Sequence, residues 1–466
     1  MNFYDDIEQF GDSVAVITEN QENISYSHLV RQADVFKKVI TGRCLVFSIS
    51  ENAEESVIGY IGFLRARVVP FLISSNIKPD LFRNLVRLYN PSYIWVSKDN
   101  ASIVENGSEV YQYKSYVLIK RSTIVDYSIN DDLALLLTTS GSTGSPKLVR
   151  QSYKNIITNA NAIAEYLNIM PSDRPITTLP MSYTFGLSII NSHFLRGSSI
   201  VLTNRPLVDK VFWELLRNNR VTTFSGVPYI FEMLKRLGFA RMNLPDIKKI
   251  TQAGGKLSQI LCEEYAKICE KKGMEFIVMY GQTEATARMS YLPSAYAISK
   301  AGSIGIAIPG GEFWLEGEKG HIIQEINTTG ELVYKGDNVT MGYAENCYDL
   351  AKGDENAGIL RTGDLAQRDS EGFYYIVGRN KRFLKLFGNR VNINEIEQLL
   401  NDKGFNCVCA GTDNNLKIYI TDQDKQTEVR AFISELTGIN PAGFTVCYIK
   451  EIPRNENGKI IYTLLE

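Results

Sequence analysis

Apolar and polar positions alternate along this chain with two different periods, and the alternation recurs. Arg43 to Ser48 (Arg-Cys-Leu-Val-Phe-Ser) is a short apolar run that predicts a buried strand. Glu54 to Arg65 carries apolar residues at helical spacing, and Val68 to Ile73 is apolar again. Strand, helix, strand in that order predicts a parallel layered sheet. Further strands are predicted at Ile176 to Leu179, Ile200 to Leu202, Thr222 to Phe224, Ile250 to Gln252 and Phe276 to Met279, with helical segments between them. From about Gly302 the texture changes to short strands and Gly-rich turns, as in Gly330-Glu-Leu-Val-Tyr and Gly372-Phe-Tyr-Tyr-Ile-Val. A basic stretch (Arg379, Lys381, Arg382, Lys385, Arg390) then precedes a small α+β tail. The expected fold is α/β. A large layered α/β N-terminal domain, 1–380, contains a β-rich subdomain at about 302–378, and a small α+β C-terminal domain covers 381–466.

Composition narrows the functional classes. On a prior of about 150 residues per domain, 466 residues make roughly three domains, or one large unit and a smaller one. The 50 Lys+Arg against 52 Asp+Glu leave a net charge of −2, so no bulk basic field exists for nucleic acid or an anionic membrane. Seven cysteines are an odd number and form no paired CxxC motifs, which argues against a disulfide framework or a zinc ribbon. Cys407 and Cys409 lie in an apolar run that reads as one strand buried on both faces. The acidic N-terminus lacks a signal pattern, and the apolar stretch Val57 to Ile73 is interrupted by Arg65 and Arg67, so no membrane span is expected. These features point to a cytoplasmic protein.

The most informative segment runs from Leu135 to Lys147, where an apolar strand feeds a loop of hydroxyl residues, Gly141, Gly144 and Lys147. Small residues let backbone N–H groups approach an anion, hydroxyls donate further bonds, and the lysine adds charge, so the loop suits a polyphosphate. It is not a Walker A loop, because the two glycines lie three apart and Pro146 precedes the lysine. Taken alone, it reads equally well as a mobile surface loop.

Five ordered segments remove that ambiguity. Thr139 to Lys147 resembles the phosphate loop of the adenylate-forming superfamily, which includes acyl- and aryl-CoA synthetases, peptide-synthetase adenylation domains and firefly luciferases. Tyr280-Gly-Gln-Thr-Glu284 resembles that family's YGxTE motif, and Leu360-Arg-Thr-Gly-Asp364 its RTGD motif. Gly378-Arg379 through Lys385-Leu-Phe-Gly388-Asn-Arg390 resembles the hinge block, and Pro453 to Lys459 the C-terminal PxxxxGK. Weaker likeness reaches back to Ile24.

The resemblance implies that a carboxylate is joined to the α-phosphate of ATP and pyrophosphate is expelled. Two anions must meet, so charge neutralisation and alignment carry most of the catalysis. By resemblance, Thr139, Ser140, Gly141, Ser142, Thr143, Gly144 and Lys147 hold the β/γ-phosphates. Thr283 contacts the α-phosphate, and Glu284 holds Mg²⁺, a hard cation that prefers carboxylate oxygen. Tyr280 faces adenine, Asp364 takes the ribose hydroxyls, and Arg379 fixes the nucleotide. Lys459 bridges the substrate carboxylate and the α-phosphate. Lys381 is the inter-domain pivot, while Lys385 and Gly388 serve the thiol step. His28, His193 and His321 match no catalytic position.

Departures from the pattern bear on the substrate. Leu148 stands where a glycine commonly follows the loop lysine, and Tyr183 stands where many members carry histidine. With Tyr183, the segments Ser225-Gly226-Val227-Pro228 and Ala253-Gly254-Gly255-Lys256 resemble the acyl-pocket walls. No acid occurs between Arg174 and Asp209, which argues against an ordinary α-amino acid, since its ammonium would lack a partner. The tail after Arg379 is also shorter than is usual in the family. The expected activity is ATP-dependent acid:thiol ligation of a small carboxylic acid, with coenzyme A or the phosphopantetheine of a separate carrier protein as acceptor. The alternatives are a stand-alone enzyme loading a small amino or hydroxy acid onto a carrier, and a non-catalytic nucleotide sensor.

Overall fold

The computed structural model describes residues 2–122, 125–138, 147–317, 320–379, 383–386, 389–412, 415–437, 443–455 and 458–465. Leu45–Ser50 is buried at every position and runs parallel to Val69–Ser74 on one side and Tyr93–Ser97 on the other. Leu133–Thr138 extends this sheet beyond Val69–Ser74, and Leu148–Ser152 returns antiparallel to it. The short strand Tyr343–Ala344 closes one edge and the hairpin of Gly107–Tyr113 with Tyr116–Arg121 the other, giving eight strands. The sheet is therefore mixed, parallel at its centre and antiparallel at its edges.

The crossover helix Glu54–Arg65 has the predicted bounds and is buried almost throughout. Its glycines permit this: a Cβ on Gly59 would lie 2.6 Å from Trp95 Nε1, and one on Gly62 2.4 Å from Phe36. Arg65 ends the helix by forking onto Asp34 at 2.8 and 2.9 Å, which holds that carboxyl down to about 2.

Two strand expectations are corrected. The first strand begins at Leu45, because Arg43 turns aside to donate to the Asn130 and Leu133 carbonyls at 2.6 and 2.5 Å. Ile176 to Leu179 is not a strand; it makes only the isolated bridges Pro175–Thr223 and Ile176–Val201. The Thr177 hydroxyl takes over the ladder there, accepting from Thr203 N at 2.8 Å and donating to its carbonyl at 2.9 Å.

A second sheet positions the functional loops. Thr223–Gly226, Lys249–Gln252 and Glu275–Tyr280 run parallel, and Ser290–Leu292 and Ile306–Ala307 add antiparallel strands. Gly226 pairs with Gln252, and Gln252 with Val278. The segments beginning at Val227, Ala253 and Gly281 thus leave neighbouring strands at the same carboxyl end, where open α/β sheets form ligand clefts. An antiparallel sheet of Gly311–Glu316, Gly330–Gly336, Ile359–Arg368 and Tyr374–Arg379, with Ile322–Ile323 at its edge, forms the β-rich part.

The C-terminal part is α+β. Cys407–Thr412, Asn415–Ile420 and Phe444–Tyr448 form a sheet with helices Ile393–Asp402 and Gln426–Thr437. Leu400, Cys409, Leu416, Ile418, Val429 and Ile433 build a hydrophobic cluster of its own. Cys407 and Cys409 are both buried in it, as the apolar run predicted. No helix among the described residues is long and apolar enough to cross a membrane.

Candidate active site

A cleft of about 800 Å³ opens where the second sheet, the antiparallel sheet and the C-terminal tail meet. Strand Glu275–Tyr280 delivers its floor. Gly281 is obligatory there, since a Cβ would lie 1.8 Å from the Ala287 carbonyl oxygen. The chain then makes a tight turn over Thr283–Ala285, and Thr286 follows at φ 67°, ψ −61°. Ala287 N donates to the Ala285 carbonyl at 2.7 Å, so Thr286 is the centre of a positive-φ γ-turn, a strained state for a β-branched residue. Three contacts hold it. Thr286 Oγ1 donates to the Asn338 carbonyl at 2.7 Å, and its own carbonyl accepts from Thr184 and Gln151.

Glu284, two residues earlier, is held by contacts of its own. Its carbonyl accepts from Thr340 N at 3.0 Å and Thr340 Oγ1 at 2.9 Å, while its Oε1 accepts from the Tyr343 hydroxyl at 2.8 Å. Oε2 has no hydrogen-bond partner among the described residues. Burial and the adjacent carboxylate raise the Tyr343 phenol well above its ordinary value, so it stays a donor. Lys147 lies 4.2 Å from the centre of the Tyr343 ring and 3.6 Å from Glu345. Fully buried Arg150 secures the segment carrying Tyr343, donating to the Met341, Tyr343 and Lys352 carbonyls and to Glu355 at 2.5–3.0 Å.

Asp364 is 2% exposed and receives three donors: the Tyr280 hydroxyl at 2.5 Å, Gln282 Nε2 at 3.0 Å and Arg379 Nε at 2.7 Å. Gln282, Thr362, Gly363 and Arg379 line the cleft, with Tyr280 and Asp364 behind them. Lys459 reaches the same cleft from the C-terminal tail. Asn455 closes the turn that presents it, accepting from Lys459 N at 2.9 Å and donating to its carbonyl at 2.8 Å. The tail is seated on the 227–232 segment, where Arg454 pairs with Glu232 at 3.7 Å and Gly458 packs on Val227. Lys459 Nζ lies 5.4 Å from the Tyr183 ring centre. Burial pushes its ammonium down to about 8; Arg379 adds to the fall, and Glu284 and Asp364 oppose it.

Tyr183, Phe185, Ala253, Gly254, Ala287 and Arg288 form the remaining wall. Gly254 adopts φ +82°, and a Cβ there would lie 2.6 Å from the Tyr183 hydroxyl and 2.9 Å from Val227. Of the expected acyl-pocket residues, Tyr183 and Gly254 face the cleft, while Gly226, Val227 and Gly255 stand behind it. The structure thus gathers Tyr183, Gly254, Thr283, Glu284, Arg379 and Lys459 around one space. Lys147 is near Glu284 only through Tyr343. Thr139, Ser140, Gly141, Ser142, Thr143, Gly144, Lys381 and Gly388 lie outside the described residues, as does the side chain of Lys385. Gln282, Arg288 and Tyr343 are site residues that sequence reasoning missed. Gln282 sits inside the YGxTE motif at its variable position; Arg288 and Tyr343 carry no motif signal.

Comparisons with known proteins bear on the family and the fold. The family model described as AMP-binding enzyme matches residues 3–344. The long-chain-fatty-acid–CoA ligase FadD13 of Mycobacterium tuberculosis (strain ATCC 25618 / H37Rv) is 28% identical over 355 residues, 72% of this chain and 67% of that protein. The 2-succinylbenzoate–CoA ligase of Bacillus cereus (strain Q1) is 28% identical over 349 residues, 72% of this chain and 70% of that one. Among solved structures, the o-succinylbenzoate CoA synthetase MenE of Bacillus subtilis, in complex with its acyl-adenylate intermediate, superposes with a TM-score of 0.79 at 22% identity. The superposition covers 100% of this chain and 98% of that one.

Proposed function

The chain belongs to the AMP-binding enzyme family, and on that premise we propose that it is an AMP-forming acid–thiol ligase. It joins a small carboxylic acid to the α-phosphate of ATP with loss of pyrophosphate, then passes the acyl group to the thiol of coenzyme A, the acceptor in the names of its relatives. The observation that supports this most is Lys459, brought from the C-terminal tail into a cleft already lined by Thr283, Glu284 and Arg379. A lysine there meets negative charge where it concentrates, between the substrate carboxylate and the α-phosphate.

Each remaining group has a task in this reading. Thr283 donates to the α-phosphate. Asp364, with acceptor capacity left beside its three protein donors, takes a ribose hydroxyl together with Arg379, and Tyr280 backs the adenine. The 139–147 loop holds the outer phosphates. A magnesium ion fits Glu284, whose Oε2 is without a hydrogen-bond partner among the described residues, because this cation binds through one or two carboxylates plus phosphates and water. When bound, it supplies positive charge to the phosphate oxygens. The 381–466 part is the mobile unit, turning at Lys381 so that the Lys385–Gly388 segment replaces Lys459 for the thiol step.

The test is acid-dependent ATP–pyrophosphate exchange over aliphatic, aromatic, hydroxy and amino acids, followed by AMP release with coenzyme A or an acyl carrier protein. We expect exchange with non-amino acids, abolished by chelation of divalent metal, and AMP release with coenzyme A. Cleavage to ADP and phosphate contradicts the reading, and release with a carrier alone moves the acceptor to a separate protein.

A further inference from the structure

Arg288 is 2% exposed, yet among the described residues it forms no ion pair. Its Nη1 donates to the Tyr166 hydroxyl at 3.2 Å and approaches Met279 Sδ at 3.1 Å, both neutral. Its guanidinium lies 4.9 Å from the centre of the Phe185 ring. The buried Nε has no partner, and no hydrogen bond is made by Nη2 among the described residues. A guanidinium keeps its charge under all ordinary conditions, so its burial without a counter-ion is costly unless something else supplies one. Arg288 lines the cleft, as do Tyr183, Phe185 and Gly254 on the same wall. The carboxylates lining the cleft are Glu284, held by Tyr343, and Glu331, which accepts from Gly363 N at 3.2 Å. Neither pairs with Arg288.

From this we infer that the acid substrate carries a second carboxylate, and that Arg288 is the residue that binds it. The inference rests on the ligase reading and adds the substrate class: a dicarboxylic acid, one carboxylate activated beside Lys459 and the other received by Arg288. Tyr183 and Phe185, with ring centres 6.4 Å apart, stand between the two cations and give the connecting atoms an apolar wall. Among the guanidinium's donors, Nη2 makes no hydrogen bond within the described residues and is the one left for a carboxylate, while Nε is enclosed. A pocket with a fixed cation also rejects the ammonium of an ordinary amino acid.

The test pairs each of a set of aliphatic and aromatic dicarboxylic acids with its monomethyl ester in ATP–pyrophosphate exchange on the full chain. In the wild type, the activated diacid should exceed its monoester by at least about tenfold in kcat/KM, since a site built for a polar group discriminates strongly against its absence. In Arg288→Met the diacid's kcat/KM should fall by at least about tenfold more than the monoester's, so that the preference vanishes; Arg288→Lys should retain part of it. A merely structural arginine would lower both rates together. Diacid and monoester activated equally by the wild type, or a preference that survives Arg288→Met, overturns the assignment and leaves the ligase reading standing. The wild-type pairs decide even where a variant fails to fold. No exchange with any acid overturns the ligase reading and the subsite with it.

Discussion

Asp364 and Arg288 are equally buried charges at one cleft, but their surroundings differ in kind. Asp364, on the antiparallel sheet, has three donors from two different segments, each within 3.0 Å. Arg288, just before strand Ser290–Leu292 of the second sheet, has neutral neighbours and an unpaired Nε. A carboxylate held by three protein donors is a device for holding geometry: it fixes Gln282 and Arg379 at the cleft wall before any ligand arrives. An unsaturated cation is a device for recognition, because its strongest partner must come from outside. Glu284 lies between these extremes, with one oxygen held by Tyr343 and the other open.

Breaking the Asp364 side should have the largest effect. Asp364→Ala removes the shared acceptor of a phenol, an amide and a guanidinium, leaves the buried phenol without it, and should cost about 2 kcal/mol in denaturant unfolding as well as nearly all ATP-dependent activity. Arg288→Met should cost clearly less stability, because the methionine removes a buried charge along with its contacts. Equal losses would erase the distinction between the two sites. Tyr343→Phe comes next. It frees Glu284 Oε1, and exchange activity should fall about tenfold with a raised requirement for magnesium, measured by metal titration of the rate. An unchanged metal dependence would make the Tyr343 contact incidental.

A pH profile gives a smaller, graded effect. Lys459 titrates near 8 in the folded chain against an ordinary value of 10.5. If the ammonium is the working form, kcat/KM for ATP should decline as pH rises through about 8, and a profile flat to pH 9.5 would contradict this. Stability follows the opposite course. Between about 8 and 10.5 the unfolded chain holds a proton that the folded chain has released, so stability from this group rises with pH across that window. Lys459→Met should accordingly raise the melting temperature at neutral pH. The smallest effect expected is Gly254→Ala, a loss of about 1 kcal/mol from the positive φ and the crowding of Tyr183.

Much of this was legible in the sequence, for reasons that also mark its limits. Helix Glu54–Arg65 was readable because its periodicity and its burial agree. Four of the five motifs located Thr283, Glu284, Asp364, Arg379 and Lys459, since each is a short segment whose chemistry depends on near neighbours. Tyr343 was invisible because it meets Glu284 across 59 residues, through an edge strand of two residues. Arg288 was invisible because what distinguishes it is the absence of a partner, and no spacing encodes an absence. Asp364 was found, but not the three donors that hold it. Ile176 to Leu179 failed as a strand because a threonine hydroxyl took the ladder's place, a competition that apolar patterning does not register.

The central claim is that Lys459 enters the cleft to serve the first half-reaction. The direct measurement compares two rates on Lys459→Ala: pyrophosphate release from ATP and acid without thiol, and AMP release from synthetic acyl-adenylate with coenzyme A. The first should fall by at least about a hundredfold while the second stays within about threefold of wild type. Both rates falling by similar factors would contradict the account, because Lys459 would then hold the site together rather than act in one step of it.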